Sequence, residues 1–108
     1  MGPVPDRPSA TEIIVKIRVW RYDVRAGSAE EFERIYGRDG AWARLFSLAD
    51  GYVGTELYRA VETPGRYLTV DTFADDASWQ RFLIEHRVAY DELDQQTSGL
   101  TLLEQELC

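Results

Sequence analysis

The chain has one histidine, His86, and the residues around it indicate where its side chain points. In the segment SWQRFLIEHRVAYDEL (78–93), the apolar residues and the histidine recur at helical spacing, at positions 79, 82, 83, 86, 90 and 93. This spacing predicts that His86 lies on the inner face of a helix. An unperturbed histidine has a pKa of about 6.5, so it is partly neutral at physiological pH and can accept a proton.

Arg18 is the second residue whose type and position can do chemistry. It belongs to a segment rich in β-branched and aromatic residues, 12–25, which predicts a long strand. Because side chains alternate between the two faces of a strand, Arg18 shares a face with Trp20 and Tyr22. A guanidinium buried on that aromatic face can hold an anionic oxygen.

The elements that position these residues follow the order β-α-β-β-α-β. They are a strand at 12–25, a helix that begins at Ser28 and is interrupted at 37–40, strands at 51–61 and 66–73, a helix from 75 to 97, and a strand at 100–107. Ser28 and Glu31 form a capping-box pattern, and the short turn at 62–65 predicts a hairpin. This order predicts a ferredoxin-like α+β domain, in which a four-stranded antiparallel sheet carries both helices on one face.

The predicted fold leaves one face of the sheet without helices, yet both faces of the first strand are apolar. One face carries the aromatic pair beside Arg18, and the other carries the aliphatic row Ile13, Val15, Ile17 and Val19. Large exposed apolar patches mark interaction surfaces, so the aliphatic face needs a partner. The sequence therefore predicts a homodimer in which two sheets pack face to face.

The composition of the 108 residues excludes several classes of partner. The net charge of −7 and the pI of about 4.6 disfavour nucleic acids, whose phosphates the chain would repel. The single cysteine, Cys108, cannot form an internal disulfide, and no spacing suits zinc. No segment is long and apolar enough to cross a membrane, and residues 1–11, interpreted as a flexible leader before a domain at 12–108, do not resemble a signal peptide. The expected location is the cytoplasm.

Five stretches carry a resemblance to a known family: VWRYDVRAG, the capped acidic helix that follows it, GYVGTELYR, RYLTVDTF and DDASWQRFLIEH. Together they resemble the antibiotic biosynthesis monooxygenase family of dimeric α/β barrels, over roughly residues 12–108. The family includes oxygenases that act on phenolic or quinol substrates without metal or flavin. Its haem-degrading members carry an asparagine on the first strand, a tryptophan ending the third strand and a histidine in the second helix. This chain has no asparagine, and Phe73 and Phe82 stand at the other two positions, so haem degradation is not expected.

Cofactor-free oxygenation needs a base, a group that stabilises an anion, and a dry cavity. The resemblance implies a cavity between the sheet and the helices, with His86 as the base, Arg18 stabilising the anion and Asp71 as an orienting group. Aromatic residues would form the cavity wall: Trp20, Tyr22, Tyr67, Phe73, Trp79 and Phe82. The expected ligand is a small apolar or aromatic molecule, of the quinol or polyketide-like kind, and no cofactor or metal is expected.

Two functions remain open at this point. In the first, the protein is a monooxygenase, which requires a cavity of about 300 Å³ or more, the lower end for ligand sites, faced by His86 and Arg18. In the second, it is a non-catalytic dimeric module that binds a small molecule or supports a pathway. Then the core is filled, and His86 bonds a backbone carbonyl or a tyrosine hydroxyl. Arg18 is then paired with an acidic residue, Asp71 or Glu56.

Overall fold

The structure is a computed structural model that describes residues 14–108. The predicted leader at 1–11 and Ile13 of the aliphatic row lie outside the described residues. The elements, in chain order, are β1 (Lys16–Val24), α1 (Ala29–Tyr36), α2 (Ala41–Phe46), β2 (Tyr52–Arg59), β3 (Arg66–Phe73), α3 (Asp76–Glu85), α4 (Arg87–Thr97), a 3₁₀ turn (Ser98–Leu100) and β4 (Thr101–Glu106). None of the helices in this described part of the chain is long and apolar enough to span a membrane.

The four strands form one antiparallel sheet in the order β2-β3-β1-β4. β1 lies in the middle, where Val19 pairs with Val70 of β3 and Tyr22 pairs with Glu104 of β4. The chain passes from β1 to β2 through α1 and α2, and from β3 to β4 through α3 and α4. This is the ferredoxin-like arrangement, and the predicted fold class is confirmed.

The core between the sheet and the helices is built mainly from aromatic side chains. Strand alternation places Tyr22, Tyr67 and Phe73 on the helix side of the sheet, where they meet Phe32 of α1 and Phe82 of α3. The centres of neighbouring rings lie 4.1 to 6.5 Å apart. Most of these distances suit favourable stacked or edge-to-face pairs, so aromatic packing fixes the helices on the sheet.

The structure corrects the prediction of one long second helix. α3 ends at Glu85 and α4 begins at Arg87, because His86 has a φ of −127° and a ψ of 28°, outside the helical region. The His86 N–H still donates to the Phe82 carbonyl at 2.8 Å, and its carbonyl accepts from the Tyr90 N–H at 2.9 Å. The helical spacing in 79–93 therefore runs across two helices and does not describe one continuous face.

The two helix starts also differ from the prediction. Ser28 precedes α1, but its side chain makes no capping hydrogen bond, so the predicted capping box with Glu31 does not form. At α3, by contrast, Asp75 Oδ1 accepts hydrogen bonds from the backbone N–H and the hydroxyl of Ser78, at 2.7 and 2.8 Å. The acidic residue thus begins α3 as a side-chain cap.

All of the described helices pack on one face of the sheet, and the open face is apolar. On that open face Ile17, Tyr58 and Leu103 are 40%, 53% and 39% exposed, while Val19 and Val70 are half-buried. The predicted contrast between the two faces of the first strand is therefore present in the structure.

Replacing Phe32 by alanine is expected to lower the free energy of unfolding by about 3–5 kcal/mol, because it removes a fully buried ring. That ring lies 4.1 Å from Tyr36 and 4.9 Å from Tyr67, centre to centre, so its removal leaves a cavity. Urea unfolding followed by circular dichroism measures the change. The control is Val88→Ala on the exposed side of α4, expected to stay within about 0.5 kcal/mol. If Phe32→Ala lowered the free energy of unfolding by as little as the control, the ring of Phe32 would not be part of a packed core.

Candidate functional site

A cavity of about 50 Å³ lies between the sheet and the helix layer. Six side chains surround it in a closed circuit, each ring or guanidinium group lying 5.0 to 6.3 Å from the next: Arg18, Trp20, Tyr22, Tyr36, Trp42 and Phe46. The first three belong to β1, the fourth to α1 and the last two to α2. The cavity therefore forms only when these three elements pack together.

Arg18 and Asp71 form a buried ion pair at this cavity. They lie opposite each other in the pairing of β1 with β3, and their side chains are 8% and 7% exposed. The distance from Nη1 to Oδ2 is 3.6 Å, an ionic contact that is too long for a hydrogen bond. The guanidinium carbon also lies 4.1 Å from the centre of the Trp79 ring, which stabilises the cation. Of the two predicted partners of Arg18, the structure selects Asp71, since Glu56 accepts from Arg38 at 2.9 Å.

Asp71 is a stronger base than an ordinary aspartate. Burial raises the pKa of its carboxyl group, while a hydrogen bond from Thr55 at 2.7 Å and the charge of Arg18 partly offset the rise. The Thr55 hydroxyl lies 2.7 Å from the Tyr52 hydroxyl, so a short chain of hydrogen bonds supports one oxygen of Asp71. The other oxygen faces Arg18. A buried carboxylate with a raised pKa takes up a proton readily.

Three tyrosine hydroxyls at the cavity stay protonated at neutral pH. Burial raises the pKa of Tyr36 to about 12 and also raises the pKa of Tyr22 and of Tyr90. The Tyr36 hydroxyl donates to Thr97 Oγ1 at 3.1 Å. For Tyr90, the positive charge of Arg18 partly offsets the rise in pKa that burial causes. As neutral groups the three hydroxyls can donate or accept hydrogen bonds but cannot serve as bases at pH 7.

Two indole N–H groups at the cavity, those of Trp20 and Trp42, are buried and have no hydrogen-bond partner among residues 14–108. Trp42 is 7% exposed. A weak contact with its indole N–H lowers the pKa of Tyr36 slightly, against the larger effect of burial, but the geometry falls short of a hydrogen bond. An indole nitrogen only donates, so each group needs an acceptor.

The structure brings some of the predicted site residues together and separates others. Four line the cavity: Arg18, Trp20, Tyr22 and Asp71. Four lie in the packed core instead: Tyr67, Phe73, Trp79 and Phe82. The centre of the Phe73 ring on β3 lies 5.1 Å from that of Trp79 and 6.5 Å from that of Phe82, both on α3, so the space predicted there is filled.

His86 does not line the cavity. It lies half-buried where α3 meets α4, with its ring centre 5.3 Å from that of Phe82. Because the helix breaks at this residue, the spacing that predicted an inward position does not apply. Its ring makes no hydrogen bond to any described residue, and no three His, Cys, Asp or Glu side chains in residues 14–108 are placed to bind a metal ion.

Sequence reasoning did not assign Tyr36, Trp42 and Tyr90 to the site. Tyr36 and Trp42 are buried on the inner faces of α1 and α2, but spacing within one helix does not show which side chains border a gap. The gap arises from the contact of three elements, and no local pattern signals it.

The cavity is much smaller than the expected 300 Å³ or so. A cavity of about 150 Å³ holds benzene, so this one takes the oxygen-bearing edge of a ring but not a whole ring. It reaches the surface between α4 and β4, where the exposed residues Asp94 and Glu104 form its mouth. Hollows of about 310 to 340 Å³ also occur, but they lie on the outside of the molecule among exposed side chains such as Arg38, Tyr58 and Arg59.

Fold and site define a class of protein: a ferredoxin-like α+β domain with an aromatic cavity between sheet and helices that holds a buried arginine–aspartate pair. The family model described as antibiotic biosynthesis monooxygenase matches residues 17–85, and the chain belongs to this family. Arg18, Trp42 and Asp71 lie inside the matched segment, whereas Tyr90 and the mouth of the cavity lie beyond it.

Solved structures share the fold at low sequence identity. SnoaB from Streptomyces nogalater, a cofactor-independent oxygenase determined as a single-site variant, has a TM-score of 0.63 and 20% identity, over 85% of this chain and 89% of SnoaB. PA3566 from Pseudomonas aeruginosa has a TM-score of 0.59 and 15% identity, over 89% and 93% of the two chains. SO0527 from Shewanella oneidensis has a TM-score of 0.58 and 18% identity, over 87% and 91%. A search of curated protein sequences gave no match.

The raised pKa of Asp71 predicts how stability depends on pH. The folded state holds this proton more tightly than an unfolded chain, in which the pKa is 3.8, so Asp71 contributes stability at low pH that is lost as the pH rises through its folded pKa. Asp71→Asn has no proton to lose. The free energy of unfolding of the wild type, relative to Asp71→Asn, is therefore expected to fall as the pH rises from about 4 to 7.

Urea unfolding of both proteins at several pH values measures this difference. Asp50→Asn removes an exposed carboxylate and is the control for the loss of charge. A difference that stays constant, or grows as the pH rises, would show that the pKa of Asp71 is not raised.

Proposed function

We propose that the protein is a cofactor-independent monooxygenase that acts on a small aromatic, quinol or polyketide-like substrate at the Arg18–Asp71 cavity. Family membership supports this, as does the likeness of the fold to that of SnoaB, which is a cofactor-independent oxygenase. The buried ion pair carries the proposal. Burying two charges costs free energy, and their 3.6 Å contact is too long for a hydrogen bond between them, which makes the pair a candidate for a chemical role.

In the proposed reaction, Asp71 takes the proton of a substrate O–H group and Arg18 stabilises the resulting oxygen anion. The anion is electron-rich at the ring carbon para to it, and this carbon forms a bond with dioxygen. The peroxide anion that results takes the proton back from Asp71, and the hydroperoxide so formed loses water, so that a C–H carbon becomes a carbonyl carbon. A phenol and O₂ thus give a quinone and H₂O, a balance that needs no outside reductant.

Asp71 takes the role of base in this proposal because it lies at the cavity, whereas His86 does not. Arg18 keeps the role that the sequence suggested for it. Trp20 and Tyr22 remain cavity walls, and Tyr36, Trp42 and Phe46 join them.

A non-catalytic binding module is the second candidate, and the small volume of the cavity favours it. A substrate ring enters only if the wall formed by Tyr90 and Asp94 on α4 moves away from β4. A binding module needs no such movement if its ligand is small or inserts only one edge. Oxygen uptake separates the two candidates.

We further propose that the chain forms a homodimer through the open face of its sheet. The exposed apolar groups of that face support this, since a second copy would cover them. Arg21 also lies on this face, and its Nε is buried without a hydrogen-bond partner among residues 14–108. A second copy can supply the missing acceptor.

Asp71→Asn is expected to lower kcat for oxygen uptake by about 10²- to 10⁴-fold, because it removes the base but keeps the shape of the side chain. An oxygen electrode measures uptake with a panel of naphthols and naphthohydroquinones in the presence of a metal chelator. His86→Gln is the matched control and is expected to retain the wild-type rate. The opposite pattern, with His86→Gln inactive and Asp71→Asn active, would assign the base to the histidine. Binding of the panel without oxygen uptake would favour the module.

Val19→Asp is expected to convert the dimer to a monomer, because it places a charge at the centre of the open face. Light scattering coupled to size exclusion measures the mass in solution. The matched control is Val61→Asp, at a position that is 97% exposed and lies outside the strands, and it is expected to leave the dimer intact. A wild-type chain that elutes as a monomer at high concentration would refute the dimer.

A further inference from the structure

Three arginines that the proposed reaction does not use surround a hollow on the outside of the sheet. This hollow, which we call the arginine hollow, has a volume of about 340 Å³. It is lined by Arg21 of β1, Arg59 at the end of β2 and Arg66 at the start of β3. No aspartate or glutamate among residues 14–108 lines it, although the chain as a whole carries a net charge of −7. The hollow is therefore a positively charged spot on an acidic protein.

Strand register places the arginine hollow on the open face of the sheet. Arg21 lies opposite Leu68 of β3, and Leu68 lies opposite Tyr58 of β2, so the three side chains point to the same side. Arg18 is three residues away from Arg21 on the same strand and points to the other side. The arginine hollow is therefore separate from the Arg18–Asp71 cavity.

Arg21 is the one of the three arginines that has no ion-pair partner among residues 14–108. Arg66 donates to Asp23 through two nitrogens, at 2.9 and 3.3 Å. Arg59 Nη1 lies 3.9 Å from Glu33 Oε2. Arg21, by contrast, has a buried Nε without an acceptor in the described part of the chain. A buried donor of a charged group that stays unbonded costs free energy, so this position needs an acceptor from outside the chain.

A second copy of the chain can offer a neutral acceptor to Arg21, but no free carboxylate from the strands of its open face. Alternation puts two acidic strand residues on that face, Asp23 and Glu56. Each of them already bonds an arginine, Arg66 and Arg38 respectively. Two sheets packed face to face would each bring an unbalanced Arg21 toward the interface. An anion that belongs to neither chain balances this charge.

The arginine hollow also offers apolar surface to a ligand. The ring of Tyr58 is 53% exposed, and Leu68 is half-buried beside it. The volume exceeds about 300 Å³, the lower end for ligand sites. Since a cavity of about 150 Å³ holds benzene, there is room for two fused rings. A guanidinium binds a carboxylate through two parallel hydrogen bonds, so a carboxylate on an apolar body matches both parts of the hollow.

We propose that the arginine hollow is a second binding site, which takes a small apolar monocarboxylate. Arg21 binds the carboxylate, Arg59 and Arg66 add positive charge around it, and the hydrocarbon part lies on Tyr58 and Leu68. The site does not depend on the proposed reaction, because it lies on the other face of the sheet.

The test is binding of 2-naphthoate to the ¹⁵N-labelled full chain, followed by NMR. This probe is a monoanion at pH 7 and has no phenolic O–H group, so its binding is independent of oxygen uptake. The backbone amide signals of Arg21, Ala60 and Leu68 are expected to shift, since these residues line the hollow. Those of Tyr36 and Trp42 at the other cavity are expected to stay in place.

A neutral probe of nearly the same shape, 2-naphthamide, isolates the role of charge. It is expected to bind about tenfold more weakly than 2-naphthoate, as the loss of a hydrogen bond between charged groups predicts. Added salt is expected to narrow this difference, because it screens exposed charges. Equal binding of the two probes would overturn the proposal, as would shifts centred on Tyr36 and Trp42.

A variant gives an independent check. Arg21→Gln is expected to weaken binding of 2-naphthoate about tenfold and to leave binding of 2-naphthamide unchanged. Arg34→Gln is the matched control, because it removes one positive charge from the exposed side of α1, away from the hollow, and it is expected to bind both probes like the wild type. If Arg21→Gln fails to fold, the comparison of the two probes on the wild type still decides the question.

Light scattering separates a ligand from a second copy as the occupant. The mass of the wild-type protein in solution is expected to be the same with and without 2-naphthoate, because the ligand occupies a space that the other chain leaves open. A fall from dimer to monomer as the probe is added would show that the second copy occupies the hollow, and would overturn the proposal. Oxygen uptake by the wild type, present or absent, bears on the proposed function alone.

Discussion

The pairing of β1 with β3 is the constraint on which the rest of the site depends, because it sets Arg18 opposite Asp71 on the covered face of the sheet. A shift of one residue in that pairing would turn one of the two charges to the open face and leave the other buried without its partner. Removing either partner alone would leave a buried charge unpaired, at a cost of roughly 3–5 kcal/mol. The hydrogen bond from Thr55 and the ring of Trp79 hold the two charges in place. The register of the two strands therefore determines the geometry of the site.

The aromatic core explains why a cavity exists at that point. Phenyl, phenol and indole rings are rigid, and a circuit of six side chains around one spot cannot fill its centre as aliphatic groups would. The same rings bring polar atoms with them, namely the hydroxyls of Tyr22, Tyr36 and Tyr90 and the indole nitrogens of Trp20 and Trp42. The gap is thus walled by apolar ring faces and bordered by donors, which is the composition of a binding site.

Local patterns in the sequence predicted most of the fold and part of the candidate site. Alternation along β1 placed Arg18, Trp20 and Tyr22 on one face, and the short link before β3 placed Asp71 where it could meet them. The sequence around His86 does not indicate that the helix ends there, since neither glycine nor proline is near. The spacing of its apolar residues suits one continuous helix. The position of His86 is decided by tertiary packing, as is the meeting of Trp42 with β1. Spacing shows which side of an element is buried, but not which buried residues border a space.

One strand serves both the inner site and the outer surface. On β1, Arg18 points into the cavity while its neighbours Ile17 and Val19 lie on the open apolar face. β1 pairs with β3 from Lys16 to Asp23, whereas on its other side the backbone hydrogen bonds begin at Val19, which bonds Leu107 and Cys108, so residues 16–18 have backbone support on one side. In the proposed dimer, burial of Ile17 and Val19 would hold this end of the strand and with it the guanidinium. Association would then tighten the geometry of the ion pair without any partner residue entering the cavity.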